Sequence, residues 1–164
     1  MKRLLKTALV LSWINLLSGS LLILGGVMAF FLTPDIFTFI LAILLPGAVI
    51  LHSYATIQLR KNIIHPESPL NRQTPAGIRL MGFMSLFFAI MSISNALLIL
   101  QHTKETAKLI KLPVEVKNMD IASILRASGV FTLLVGISIV INIVMSFRIL
   151  KWYLQHVEPN DKTE

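Results

Sequence analysis

Four stretches of this chain carry no charged side chain and are each long enough to cross a bilayer: residues 8–32, 36–59, 80–101 and 127–147. About 20 predominantly apolar residues span the hydrocarbon core as a helix. Inside lipid every backbone polar group must be satisfied within the structure, so runs of this kind have essentially one fold open to them, the transmembrane helix. The pattern predicts helices over about 7–32, 35–59, 75–102 and 121–153, with 154–164 as a disordered tail. Of the 164 residues, 55% are hydrophobic and 14% are charged, against a charged share of about a quarter in soluble domains. That leaves no room for a soluble domain. The expected fold is all-α, one antiparallel four-helix transmembrane bundle over residues 1–164.

The first run raises a competing possibility. "MKRLLKTALVLSWINLLSGS" has basic residues, an apolar stretch and the small residues Ser18, Gly19 and Ser20, which is the layout of a cleavable secretory signal. A signal's apolar core is short, about 7 to 15 residues. Here "LLILGGVMAFFL" continues past the small residues with no polar break, so the segment is expected to be kept as the first helix.

A net charge of +7 in a soluble protein would suggest nucleic acid as a partner. In a chain that alternates direction across a membrane the basic residues sort by side instead. Lys2, Arg3, Lys6, Arg60, Lys61, Arg72, Arg79, Arg148, Lys151 and Lys162 fall together, and Lys104, Lys108, Lys111, Lys117 and Arg126 fall opposite. Ten against five places both termini in the cytoplasm by the positive-inside rule, with the bilayer and no nucleic acid as partner. Trp13, Tyr54, Trp152 and Tyr153 lie toward the same boundary, where amphipathic rings prefer to sit. The expected location is a plasma membrane, that of a bacterial inner membrane, crossed several times.

The connections carry local signals. In "FLTPDIF" Thr33 is the expected cap, with Pro34 in the first helical position and Asp35 at the positive helix end. So short a link forces neighbouring helices to run antiparallel. Pro46 and Gly47 fall mid-helix, where proline removes one backbone hydrogen bond and predicts a kink. Thr74 and Pro75 repeat the cap-and-proline device at the third helix. After residue 101 the chain is expected to extend that helix briefly and then to run extended through "LPVEV". "SGSLLIL" in the first helix and "SNALLIL" in the third match at five of seven positions, the mark a parallel two-helix duplication would leave.

Two constellations stand out. In the third helix Gly82, Ser85, Ala89, Ser92 and Ala96 alternate at steps of three and four, which puts every small side chain on one seam for close helix packing; Gly129, Thr132 and Gly136 form a looser version in the fourth. Asn15, His52 and Asn142 are intramembrane polar residues on three helices. At about 1.5 Å per residue they lie about 13, 12 and 9 Å from the nearest cytoplasmic charge, a common level that reads as a register-setting clasp or a small binding site. Asn95 sits in the outer half of the third helix, away from them. Arg126 near the outer start of the fourth helix has Asp35 and Asp120 as candidate ion-pair partners.

The chain has no cysteine, which excludes disulfides, thiolate nucleophiles, iron–sulfur ligation and cysteine zinc sites. His52 has no second intramembrane histidine, so haem and other cofactors are not expected. No run contains a carboxylate, which counts against proton-coupled exchange and hydrolysis, and no phosphate loop, HExxH or GxSxG is present. The expectation is therefore non-enzymatic: an integral membrane accessory or assembly subunit that packs on a larger membrane partner through small-residue helix faces. The alternative is a small self-associating transporter or channel, with the bend at Pro46 and Gly47 as its gate.

Overall fold

The computed structural model describes residues 2–32, 34–67, 70–71, 73–109 and 120–156. They form α1 (Lys2–Leu32), α2 (Ile36–Ile64), α3 (Thr74–Gln101), a short α4 (Thr103–Leu109) and α5 (Ile121–His156). All but α4 are long and apolar enough to cross a membrane. The main packing is α1 against α2 and α3 against α5, joined by α2 with α3 and α1 with α5.

Two apolar clusters mark how the helices associate. Leu5, Ala8, Leu59, Ile78, Ile149 and Leu150 meet at one end, drawing together the start of α1, the end of α2, the start of α3 and the end of α5. Val49, Ala89, Val135, Ile139 and Ile143 fill the space between α2, α3 and α5. Outside, α1 presents Trp13, Leu17, Leu21, Leu24, Met28 and Phe31 at helical spacing, a face suited to lipid.

Helix starts differ in detail from the sequence reading. Asp35, not Thr33, is the N-cap of α2: its carboxylate accepts from the backbone N–H of Phe37 at 3.3 Å and of Thr38 at 3.0 Å, and from the Thr38 hydroxyl. Thr33 lies outside the described residues. The Thr38 bonds hold the Asp35 carboxyl below its ordinary value, so its partner is the helix end and not Arg126. Asp120 does the same for α5 through the Ser123 hydroxyl at 2.6 Å and backbone N–H at 3.2 Å. Those bonds lower its pKa, with Arg126 as the smallest contributor. Among the described residues His102 Nδ1 lies 2.8 Å from a Glu105 carboxylate oxygen. At α3 the cap position is Gln73, which makes no side-chain cap bond, and Thr74 is already helical with Pro75 in the first turn.

α2 continues through Arg60 and Lys61 to Ile64, and α5 continues past residue 153 to His156, whose ring stacks on Trp152 at 5.0 Å and whose Nδ1 lies 3.0 Å from the Trp152 carbonyl. Residues 154–156, expected in a disordered tail, are thus helical. The "LPVEV" segment and residues 157–164 lie outside the described residues. The two echoed segments differ in environment: Ser18 and Gly19 are buried and Ser20 exposed, whereas Ser94 and Asn95 are exposed and Ala96 buried. The first three equivalent positions therefore differ in burial.

Candidate functional site

α1, α2 and α5 enclose a polar interior. Asn15 is 1%, His52 2% and Asn142 0% exposed, so the three residues singled out by sequence share a core closed to the outside. No hydrogen bond joins them to one another. Serines make the connections instead. The Ser12 hydroxyl donates to Asn142 Oδ1 at 3.2 Å, Asn142 Nδ2 donates to Ser53 Oγ at 3.5 Å, and the Ser138 hydroxyl donates to Asn15 Oδ1 at 2.9 Å. α5 thereby holds α1 through two bonds and α2 through one.

His52 forms a further crosslink. Its Nδ1 lies 3.2 Å from the Ile78 carbonyl of α3 and its Nε2 2.9 Å from Ser146 Oγ of α5. A carbonyl only accepts, so in the neutral ring Nδ1 carries the proton and Nε2 accepts from Ser146. The same hydroxyl lies 2.9 Å from the Ile143 carbonyl of its own helix, a second acceptor that competes for its proton. Phe147 closes one side, its ring edge-on to the imidazole at 6.2 Å. Inside lipid, bonds of this kind contribute about 0.6 kcal/mol each on average, and they fix which residues face each other. Asn15 Nδ2 is the exception, a buried donor without a partner.

The sequence reading missed Ser12, Ser53, Ser138 and Ser146. A signal was present: Ser138, Asn142 and Ser146 recur every four residues on α5, one polar stripe in an apolar helix. Ser12 and Asn15 are similarly three apart on α1.

The small-residue seam has an occupant within the chain. Gly82, Ser85, Ala89 and Ala96 are buried and Ser92 half-buried, against α5 residues among which Gly129 and Gly136 are buried and Thr132 half-buried. A Cβ at Gly136 would stand 2.7 Å from Ile93 Cγ1 and 3.4 Å from the Ala89 carbonyl oxygen, and one at Gly82 would stand 2.8 Å from Phe147 Cζ. Within the chain these small side chains let α3 and α5 approach each other.

Pro46 is buried inside an unbroken α2. Lacking an N–H, it leaves the Ala42 carbonyl without its helical donor. That carbonyl oxygen lies 3.5 Å from where a Cβ of Gly26 would stand, and Ala42 Cβ lies 2.7 Å from it, so α1 packs directly on the freed group. Gly47 has nothing within 4 Å of its Cβ position and serves no close contact.

Asn95 is an amide left on the outside of the helices. It is exposed on α3, about 9 Å along the helix from Gln101, within the apolar run. Among the described residues its amide has no hydrogen-bond partner. Compared with protein-family models, with curated protein sequences and with solved structures, the chain matches none.

Proposed function

We propose that the protein is a non-enzymatic integral membrane accessory or assembly subunit. Asn95 carries this reading: an amide facing lipid without a partner is costly, and a hydrogen bond to a polar group on a neighbouring transmembrane helix relieves that cost. The sealed interior supports it too, because a chain whose His52 and Asn142 are closed to water offers no substrate path of its own. Association then uses the lipid-facing side of α3 around Asn95, with exposed Met91 and Leu98 one turn to either side, and not the buried small residues.

The accompanying arrangement is an antiparallel bundle in a plasma membrane of bacterial type, with both termini cytoplasmic. Contacts in reverse order support it: Gly19 meets Ile50 while Gly26 meets Ala42, and Ser12 meets Asn142 while Asn15 meets Ser138. The ten-to-five division of basic residues supports the orientation. Native mass of gently extracted protein tests the function. A partner in fixed ratio that is lost in Asn95→Leu is expected; a single chain in both proteins contradicts it. One observation favours the transporter reading, the unpaired Asn15 Nδ2, which a second packing state could satisfy. A clean homo-oligomer would favour that reading.

A further inference from the structure

At the end of the bundle where α3 begins and α5 finishes, a groove of about 470 Å³ is lined by Arg79, Phe83, Phe147, Leu150, Lys151 and Leu154, with Gln155 at its edge. Its two walls repeat one design. Arg79 stands one helical turn before Phe83 on α3, and Lys151 stands one turn after Phe147 on α5, so each helix sets a cation about 6 Å outward of an aromatic ring. The two rings approach to 5.9 Å. Leu150, 3% exposed, is a fixed floor, while Phe83 is 64% exposed and faces outward. Both cations are exposed. They lie where the uncharged runs end, at residue 80 on one helix and 147 on the other, which is the level of the headgroups.

We propose that this groove is a binding site for an anionic phospholipid, its phosphate held between Arg79 and Lys151 and the upper part of an acyl chain laid over Phe83, Phe147 and Leu150. Charge complementarity selects the headgroup: two cations line one opening, and among the described residues no carboxylate lines it. The apolar wall selects an amphiphile over a free anion, since phosphate alone would leave the aromatic pair uncovered. The site is separate from the Asn95 face and does not depend on what docks there.

The test uses the full chain in nanodiscs of phosphatidylcholine with added phosphatidylglycerol, with lipid retention after gentle ejection read by native mass spectrometry. Phosphatidylglycerol is expected to be retained over phosphatidylcholine. A basic residue near an anionic surface contributes about a factor of five, so retention falls roughly fivefold in Arg79→Gln or Lys151→Gln and roughly twenty-fivefold in the double variant. The comparison variant Arg3→Gln/Arg148→Gln removes the same charge from other exposed positions and should change retention little. Equal losses in the two double variants would mean diffuse attraction and overturn the site. Equal retention of the two lipids would overturn it as well, and displacement by inorganic phosphate would assign the cations to a soluble anion instead.

Discussion

Ser12 and Ser85 are both fully buried serines in apolar helices, yet their hydroxyls act differently. Ser12 reaches across to Asn142 on another helix, whereas Ser85 turns back onto the Met81 carbonyl of its own helix at 2.7 Å. The contrast extends to the regions around them. Where α1, α2 and α5 meet, partners are fixed by hydrogen bonds from Ser12, Ser138, Asn142 and Ser146. Between α3 and α5, small side chains remove steric bulk so that backbones come close, and dispersion supplies the attraction. In lipid the hydrophobic effect does not press helices together, so these are the two means left, and this chain uses both, with glycines also bringing α1 close to α2 at Gly19 and Gly26. His52 spans both, bonded to α5 on one side and to the α3 backbone on the other.

The largest effect should come from overfilling the close-packed region. Gly136→Leu forces atoms into Ile93 and toward the Ala89 backbone, and should lower stability by about 3 kcal/mol in a denaturant titration of the detergent-solubilised protein. If the variant is as stable as the parent, α3 and α5 are not in the contact described. Asn142→Leu should cost about 2 kcal/mol, since it leaves Ser12 and Ser53 without their partner inside lipid. A smaller effect of opposite sign is expected at Gly47→Ala: its Cβ meets nothing, and alanine's better helix propensity should stabilise by about 0.5–1 kcal/mol.

The serine pair sharpens the contrast further. Ser12→Ala should cost about 1 kcal/mol and couple to Asn142→Ala in a double-mutant cycle by about 0.6 kcal/mol. Ser85→Ala should stay within about 0.5 kcal/mol, because the hydroxyl it loses serves only its own helix. Equal costs at the two serines would erase the distinction. The smallest effect belongs to the helix starts. The folded-state pKa of Asp35 and of Asp120 is depressed, so the cap contribution is complete above the ordinary value of 3.8 and is lost as pH falls through the lowered one. Amide exchange in the first turns of α2 and α5 should be flat around neutrality and rise only in acid below that value, and Asp35→Asn should remove the dependence at α2.

The spans were legible because uncharged runs of that length have a single use. The burial of Asn15, His52 and Asn142 was legible for a related reason, since amides and imidazoles avoid lipid. Their partners were not. Serine hides its polarity against its own backbone, so Ser85 and Ser146 look alike in sequence, and only packing decides which of them reaches across. In helices apolar all round, hydrophobic periodicity cannot tell an inner face from an outer one. The seam of Gly82, Ser85, Ala89, Ser92 and Ala96 was therefore visible as a packing surface, but whether it served this chain or another was not. The N-cap was misplaced by two residues because Thr33 and Asp35 are both good caps flanking Pro34, and the carboxylate reaches two backbone donors where it stands.

The most direct test of the sealed polar interior uses the absence of cysteine. Ser53→Cys places one thiol, nearly the size of the native hydroxyl, at a fully buried position between His52 and Asn142's amide, with Lys61→Cys as an exposed comparison. In native membranes a small water-soluble thiol reagent should label position 61 readily and leave position 53 unlabelled until the protein is denatured. Rapid labelling at position 53 in the folded protein would show water reaching the centre, and would contradict the clasp in favour of a path through the membrane.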